Sequence, residues 1–415
     1  MATREQERTH SARAGHKQVA PGVLVVDGDG HVLETEETFE KYIDPQFKAQ
    51  CPRLVKPYAN SDTFLLIDGV FIPDSLWLLR GTYPLGYGAL AFRYAGRGEE
   101  VSPEPGRVDV AGLSLNTRLR DMAIEGRDID VLFPSILLGG SGSNQYRNLP
   151  LVSAVCRAYN SWLADYCRAA PERLKRVAVT FLHDIEAAVR EVNRCVTELG
   201  CVAAMIAPAN PSDKTLDDPY FYPFYEECQR LDIPICLHIS LQRHPDNLQR
   251  IVHRDFSLTF ALVSVPHMIA LGQLIFGGVL DRFPKLRWAF LESGVGWVPY
   301  FIERFDEKYK PMLELFGKEG KTLEKLPSEY ARSEQLFFSC DPDEAALSLA
   351  VEFLGEDRII YASDYPHHDA KFPNSVRMIW EHPKLSESAK KKILGENATR
   401  LYKLSAQEVS LQASV

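Results

Sequence analysis

Residues 23–31 read VLVVDGDGH, an apolar run that ends in two aspartates, two glycines and a histidine. Residues 23–26 do not alternate with polar side chains, so we expect a buried strand of a parallel sheet with helices around it. Asp29 and His31 stand two positions apart, and side chains with this spacing on an extended segment point to the same side. A carboxylate oxygen and an imidazole nitrogen that converge there can bind a divalent cation. The alternative is a glycine-rich turn shaped by the aspartates, with His31 an ordinary polar residue.

The alternation of strand and helix continues through most of the chain. Strands are predicted at residues 23–26, 129–135, 177–181, 202–206, 234–238, 286–291, 335–340 and 359–364. Helices are predicted at residues 35–42, 115–126, 149–168, 185–199, 219–231, 267–280, 297–309, 343–354 and 386–394. Because eight parallel strands close a barrel, we predict an α/β fold, a TIM-type (β/α)8 barrel with an insertion after strand 1. A doubly wound open sheet is the alternative, but the glycine-rich phosphate loop that usually follows its first strand is missing.

The domain organisation follows from where this regularity begins and ends. We predict a disordered leader at residues 1–21, a single barrel domain at 22–404 and a polar tail at 405–415. Within the barrel domain, residues 45–113 lose clear periodicity. A loop of this length is improbable in a compact domain unless it forms a lid or cap, so we expect a cap insertion over the site.

Aromatic residues in the insertion bear on the ligand. Trp77, Tyr83, Tyr87 and Phe92 favour an apolar or ring-bearing ligand, or else they form the core of the cap. The substrate-binding residues stay unknown at this stage. Arg93, Arg118 and Arg120 are candidates to meet a substrate carboxylate, although structural pairing is the commoner role of any one arginine.

Composition excludes several classes of protein. The formal net charge is -9 and the basic residues are scattered, which argues against a nucleic-acid partner. No run of 18 apolar residues occurs and residues 1–20 are polar, so we predict no membrane span and no signal peptide, and a cytoplasmic protein. The eight cysteines contain no C-x-x-C pair, which makes a thiolate zinc site improbable.

Metal-ligand residue types stand at the ends of four predicted strands. Strand one ends in Asp29 and His31, strand five in His238, strand six in Glu292 and strand eight in Asp364. In a barrel of this class the chemistry lies at the carboxyl ends of the strands. Each residue alone has a structural explanation, but together they predict a divalent metal site. Imidazole and carboxylate ligands suit zinc, iron or manganese, and we expect zinc, with Asp364 placed to take or return a proton.

Further motifs resemble a known family. They are RLRDM at residues 118–122, IDV at 129–131, GGVLDRFPKL at 277–286, ASDYPH at 362–367 and ENATRL at 396–401. Together with the strand ends, they resemble the amidohydrolase-related branch of the amidohydrolase superfamily, which includes aminocarboxymuconate semialdehyde decarboxylase and resorcylate-type decarboxylases. The resemblance runs from about residue 23 to residue 404. It implies a metal-dependent hydrolysis or non-oxidative decarboxylation of a small carboxylated or aromatic metabolite, and a homodimer.

The sequence departs from the family pattern at two positions. The decarboxylases that it resembles have H-x-H in the first strand, where this chain has Asp29 and His31. They also have a catalytic histidine at the end of strand six, where this chain has Glu292. Glu292 is then a metal ligand or a base, and His267 is a candidate to supply the missing imidazole. The resemblance therefore implies catalytic roles for Asp364, Glu292 and His267.

A surplus of possible ligands leaves a second function open. Glu34, His367 and His368 lie close in sequence to the site segments, and a carboxylate-rich surplus could hold two metals. The fold is also similar to that of binuclear non-haem iron monooxygenases, so hydroxylation of a small organic substrate by two irons is the alternative. For these three residues we favour a solvated loop, or a position behind the ligands, over ligation.

Overall fold

A computed structural model of the chain describes residues 19–34, 36–55, 64–73, 115–141, 145–208, 214–239, 261–262, 264–316, 323–367 and 370–404. Most of the predicted leader at residues 1–21 and all of the tail at 405–415 lie outside these ranges, so their boundaries stay predictions. The candidate residues Trp77, Tyr83, Tyr87, Phe92, Arg93 and His368 also lie outside the described residues.

Strands and helices alternate along the described chain. The strands are β1 (Val26–His31), β2 (Arg53–Val55), β3 (Phe64–Ile67), β4 (Val70–Pro73), β5 (Ile129–Phe133), β6 (Leu174–Val179), β7 (Ala203–Ile206), β8 (Ile235–His238), β9 (Trp288–Leu291), β10 (Leu336–Cys340) and β11 (Ile359–Tyr361). The helices are α1 (Glu36–Glu40), α2 (Leu115–Glu125), α3 (Ile136–Ser141), α4 (Leu149–Cys167), α5 (Ile185–Thr197), α6 (Tyr222–Arg230), α7 (Ser264–Phe276), α8 (Val279–Arg282), α9 (Trp297–Phe316), α10 (Pro327–Ala331), α11 (Leu347–Leu354), α12 (Ser375–Trp380), α13 (Glu387–Lys391) and α14 (Asn397–Tyr402).

Eight of the strands form one parallel sheet in the order β1, β5, β6, β7, β8, β9, β10, β11. Each strand pairs in parallel with the next strand of this order. The strands of this sheet follow one another in chain order with at least one helix between each successive pair, as in a (β/α)8 barrel. The predicted TIM-type barrel is confirmed. In the described part of the chain, no helix is long and apolar enough to cross a bilayer.

The two outer strands of this sheet, β1 and β11, meet at a seam that closes the barrel. The backbone N–H of Asp364 donates to the carbonyl oxygen of Asp29 at 3.1 Å, and the N–H of His31 donates to the carbonyl of Tyr365 at 2.8 Å. The N–H of Ser363 donates to the Asp27 carboxylate at 2.8 Å. The seam therefore depends on a side chain as well as on the backbone.

A buried arginine neutralises the carboxylates beside this seam. Arg127 Nη1 lies 2.9 Å from Asp27 Oδ2 and 2.8 Å from Asp130 Oδ2, and its Nε lies 3.0 Å from Glu125 Oε2. All four side chains are fully buried. Charged side chains are buried in proteins only when they are paired and hydrogen-bonded. The Asp27 carboxylate can therefore lie in the interior because Arg127 pairs with it.

The interior of the barrel is apolar below the seam residues. Alternate strand residues belong to one buried cluster, which includes Val177, Met205, Cys236, Ala289, Leu291, Phe337 and Ile360. Gly28 lies against this cluster, because a Cβ at this position would come within 2.9 Å of Ile360 Cδ1 and 3.1 Å of the Tyr361 carbonyl oxygen. A side chain at position 28 would therefore displace one wall of the core.

The structure corrects the predicted bounds of several elements. The first strand begins at Val26 rather than at residue 23, and it ends at His31, as expected from the polar strand end; Arg127 and Ser363 satisfy the carboxylate of Asp27 within it. Helix α9 runs on to Phe316 through Pro311, and α11 starts at Leu347 rather than at residue 343. Glu344 is held in a turn instead, where its carboxylate accepts the N–H groups of Val295 and Gly296.

The described part of the insertion contains a sheet that was not predicted. Strands β2, β3 and β4 form an antiparallel sheet, and β3 and β4 are joined by Asp68 and Gly69, both with positive φ. Asp-Gly between apolar residues is a typical hairpin turn, so this signal was present in the sequence. The Asp68 carboxylate accepts the backbone N–H groups of Arg147 and Asn148, which joins the hairpin to the start of α4.

We predict that Arg127→Ala destabilises the fold by about 3 to 5 kcal/mol, because it leaves the carboxylates of Asp27 and Glu125 buried without their cation, whereas Asp130 keeps Arg118 at 3.1 Å. The midpoint of urea unfolding measures the effect. Arg190→Ala is the matched control: Arg190 and its partner Glu186 are 70% and 84% exposed, and the loss of such a surface pair costs less than about 1 kcal/mol. Equal midpoints for the two variants would contradict the role of Arg127.

Candidate metal centre

The predicted ligands meet at the carboxyl ends of the barrel strands. Asp29 and His31 belong to the end of β1, His238 is the last residue of β8, and Glu292 and Asp364 follow β9 and β11. Their side chains fall into two overlapping groups in which the possible ligand atoms all lie within 4.8 Å of one another. We call Asp29, His31 and His238 the deep group, and Glu292, Asp364 and His367 the rim group. His31 also contacts the rim group.

The deep group is almost completely buried. Asp29 Oδ1 lies 3.6 Å from His31 Nε2 and 3.4 Å from His238 Nε2, and the three residues are at most 1% exposed. Among the described residues, both Asp29 carboxylate oxygens and both Nε2 atoms lack a hydrogen-bond partner. Buried polar atoms normally have partners, so unpaired oxygens and nitrogens that face one another fit the binding of a cation.

Hydrogen bonds orient both deep imidazoles. His31 Nδ1 lies 2.7 Å from the carbonyl oxygen of Pro134, and His238 Nδ1 lies 3.2 Å from the carbonyl of Ile239. Each Nδ1 can only donate to a carbonyl, so the lone pair of each Nε2 faces Asp29. Histidines that bind metals typically have their second nitrogen hydrogen-bonded in this way.

The rim group lies closer to solvent. The side chains of Glu292 and Asp364 are each 19% exposed and that of His367 is 13% exposed. His367 Nδ1 lies 2.7 Å from Asp364 Oδ1 and 3.3 Å from Glu292 Oε1, and its ring stacks on that of His31 with centroids 3.9 Å apart. On its other side, His367 Nε2 lies 2.9 Å from Ser135 Oγ.

Left-handed backbone turns direct the two rim carboxylates. Glu292 has φ 57° and Asp364 has φ 56°, which non-glycine residues adopt rarely and at a cost of about 1 to 3 kcal/mol. The surrounding structure holds both turns: the N–H of Glu292 donates to Ser339 Oγ, and that of Asp364 donates to the Asp29 carbonyl. Such outliers cluster at functional sites.

Electrostatics of the cluster are unfavourable without a cation. Burial and the neighbouring Glu292 raise the pKa of Asp29 well above its usual value, and burial and Asp364 raise the pKa of Glu292. Burial lowers the pKa of His31 and His238. Burial also opposes protonation of His367, but Asp364 and Glu292 outweigh it and raise the pKa of His367. A bound divalent cation would relieve the repulsion among the carboxylates.

His267 and Glu34 occupy positions behind the cluster. His267 is fully buried on α7, where its Nε2 lies 3.0 Å from the Leu237 carbonyl and burial lowers its pKa to about 3. It lies outside both groups of possible ligands among the described residues, so its catalytic role stays a prediction. Glu34 is not in a solvated loop: its buried carboxylate accepts the N–H groups of Ser135, Ile136 and Leu137.

Two of the arginines considered for substrate binding have other contacts. Arg118 is fully buried 3.1 Å from Asp130 and donates to the carbonyl of His31, whereas the exposed Arg120 pairs with the buried Asp121. His367 is the site residue that sequence reasoning undervalued. Its sequence signals are its position three residues after Asp364 and its place at the end of the ASDYPH motif. Its side chain is 13% exposed, which does not fit the solvated loop that was one of the two expectations for it.

Comparison with known proteins defines the class. Residues 64–404 match the model of the family described as Amidohydrolase, and the chain belongs to this family. The family that the sequence motifs resembled is therefore confirmed.

Several named relatives of the chain are decarboxylases, and one is a hydratase. The chain is 26% identical over 285 residues to 2-amino-3-carboxymuconate-6-semialdehyde decarboxylase of Dictyostelium discoideum, covering 68% of this chain and 75% of the relative. It is 26% identical over 266 residues to gamma-resorcylate decarboxylase of Rhodococcus jostii (strain RHA1), covering 60% and 77%. These relatives give no support to the iron monooxygenase alternative.

A solved structure shares the fold. The manganese-bound structure of a variant of 5-carboxyvanillate decarboxylase from Novosphingobium aromaticivorans superposes with a TM-score of 0.67 and 22% identity, covering 92% of this chain and 98% of that chain. At this identity the similarity establishes the fold alone.

We predict that His238→Ala removes bound metal. Loss of a residue that hydrogen-bonds a ligand lowers metal affinity by about 10- to 100-fold, and loss of the ligand itself should lower it at least as much. Elemental analysis of protein purified without chelators measures the metal per chain. His382→Ala is the control, because His382 lies outside both groups of possible ligands in the described residues. Equal metal content in the two variants would remove His238 from the ligand set.

Proposed function

We propose that this protein is a metal-dependent carboxy-lyase that removes the carboxyl group of a small aromatic acid as CO2, without oxygen. One observation carries the proposal: the unpaired oxygens and nitrogens of the deep group converge at the carboxyl ends of the strands. The membership of the chain in a family with named decarboxylases supports the choice of reaction.

The donor set fits a divalent cation. Asp29, His31 and His238 would hold it. Asp364 Oδ1 lies 3.1 Å from His31 Nε2 and is therefore close to the same cation position. When bound, such a cation withdraws electron density from the substrate oxygens that it contacts and fixes their position. Carboxylate oxygens suit manganese, whereas thiolates suit softer metals. The solved structure of the 5-carboxyvanillate decarboxylase variant also holds manganese. We therefore place manganese ahead of the zinc that was expected from the sequence, for which no specific support exists.

Proton transfer falls to the rim of the site. In a decarboxylation, the bond between the ring carbon and the carboxylate breaks, its electron pair stays on the ring carbon, and a proton is added there while CO2 leaves. Asp364 is placed to deliver this proton, since its side chain is partly exposed and also lies beside the deep group. His367 holds the Asp364 carboxylate through Nδ1, which limits the directions in which Asp364 can face.

Hydrolysis would use the same ligands with a water as the nucleophile. The names of the relatives favour decarboxylation, and the reaction product distinguishes the two. The partner is then a small molecule, and the cytoplasmic location and the homodimer stay predictions.

We predict that the metal-loaded protein releases CO2 at equal rates in air and under strict anaerobiosis. Gamma-resorcylate and 5-carboxyvanillate are the first substrates to try, because relatives and fold neighbours carry these names. Headspace CO2 and loss of substrate absorbance measure turnover. A reaction that stops without oxygen, or that consumes oxygen in step with substrate, would overturn the proposal.

We expect Asp364→Asn to lower kcat about 100-fold or more, because an amide cannot exchange the proton. Substrate affinity should change less, because the substitution leaves Asp29, His31 and His238 in place to hold the cation. His382→Ala is the control for expression and loading. If Asp364→Asn kept the wild-type kcat with bound metal, Asp364 would not be the proton donor.

A further inference from the structure

Three aromatic side chains, those of Tyr146, Phe181 and His183, form a group that lies apart from the metal ligands. We call it the aromatic cluster. The rings of Tyr146 and Phe181 stack with centroids 6.0 Å apart and an interplanar angle of 18°. The ring centroid of His183 lies 5.3 Å from that of Tyr146 and 6.0 Å from that of Phe181. Aromatic rings favour such offset and tilted contacts, so a further ring can join them.

The register of the sheet places the aromatic cluster at the height of the deep group. Val179 of β6 pairs with Met205 of β7, which pairs with Cys236 of β8. Phe181 and His238 each follow these strand residues by two positions, so they stand at the same height of the barrel, two strands apart. Adjacent strands lie about 4.8 Å apart, which puts the two segments about 10 Å from each other. An aromatic acid whose carboxylate lies at the cation can therefore reach the aromatic cluster with its ring.

Tyr146 carries a buried polar group that the fold does not use. The residue is 6% exposed and belongs to the same buried cluster as the barrel residues Val177 and Met205. Among the described residues, its hydroxyl has no hydrogen-bond partner. Buried hydroxyls normally have a partner, so this one fits a ligand that supplies an acceptor.

Both sides of the aromatic cluster are held in place by hydrogen bonds. The Asp68 carboxylate of the β3–β4 hairpin accepts the N–H groups of Arg147 and Asn148, the two residues that directly follow the cluster tyrosine. On the other side, the Tyr220 hydroxyl donates to the carbonyl of His183 at 3.0 Å. A surface that is already ordered loses little conformational freedom when a ligand binds.

We propose that the aromatic cluster receives the ring of the substrate and that the Tyr146 hydroxyl donates a hydrogen bond to an oxygen substituent on this ring. The inference rests on the proposed function, because it places the substrate carboxylate at the cation. The ligand class is an aromatic acid with a further oxygen group, such as a hydroxyl, away from the carboxylate. Burial raises the pKa of Tyr146, so its phenol stays protonated and can donate.

Binding of substituted benzoates tests the role of the hydroxyl. The probes are benzoate, meta-hydroxybenzoate and para-hydroxybenzoate, and titration calorimetry on the manganese-loaded protein measures their dissociation constants. In the wild type, at least one hydroxybenzoate should bind about 3- to 10-fold more tightly than benzoate, which is the usual contribution of one hydrogen bond. In Tyr146→Phe this preference should fall below about twofold, with little change in the affinity for benzoate.

Tyr159→Phe is the matched control. Tyr159 on α4 is fully buried, its ring centroid lies 5.8 Å from that of Trp162, and its hydroxyl has no partner among the described residues. This variant makes the same chemical change outside the aromatic cluster, so it should keep the wild-type preference.

A second variant tests the ring contact. Phe181→Leu keeps an apolar side chain but removes the stacking partner. It should weaken the binding of all three probes by about 3- to 10-fold. If Phe181→Leu binds them as tightly as the wild type, the aromatic cluster does not receive the ring.

Thermal melting without ligand separates a binding role from a structural one. Tyr146→Phe removes a buried hydroxyl without breaking a hydrogen bond of the described fold, so it should melt at or above the wild-type temperature. A clearly lower melting temperature would mean that the fold itself uses the hydroxyl, and it would overturn the proposal.

The outcomes keep this inference apart from the proposed function. An equal preference in the wild type and in Tyr146→Phe, or no preference in the wild type, overturns the role of the hydroxyl even if CO2 is released. A preference that disappears in Tyr146→Phe supports it even if no aromatic acid releases CO2, a result that would overturn the reaction alone. A wild type that binds none of the three probes overturns both.

Discussion

The buried ion pair between Asp27 and Arg127 is the constraint on which the site depends. The Asp27 carboxylate accepts the backbone N–H of Ser363 from the opposite side of the seam. Two backbone hydrogen bonds also hold β1 against the segment after β11. Asp29 and Asp364 stand within two residues of this contact. The seam therefore sets the distance between Asp29 and Asp364, the first and the last predicted ligand. The buried pair of Asp27 and Arg127 in the barrel wall thus positions the two carboxylates at the barrel mouth.

Counting strands was enough to predict the barrel, because a buried parallel strand is a short apolar run that helical sequence follows. The sequence does not show how β1 can carry Asp27 in its buried interior, because Arg127, which neutralises that carboxylate, lies 100 residues later in the chain. The hairpin at Asp68 and Gly69 was missed for a different reason, since its short strands carry little periodicity of their own.

Strand ends predicted most of the candidate site. Asp29, His31, His238, Glu292 and Asp364 each follow an apolar run, and barrel topology brings such positions together. His367 could not be placed in the same way, because its approach to His31 depends on the left-handed turn at Asp364. His267 was a candidate from its position on a helix, but such a position does not reveal which way a buried imidazole faces. Its Nε2 lies beside the carbonyl of Leu237.

The contact of Asp68 with the start of α4 has a consequence for how this protein can evolve. The Asp68 carboxylate accepts two backbone N–H groups, at Arg147 and Asn148, rather than any side chain of the barrel. Because the donors are backbone N–H groups, most substitutions of the side chains at Arg147 and Asn148 leave this contact in place. The hairpin can thus stay attached to the start of α4 while the side chains around the contact diverge.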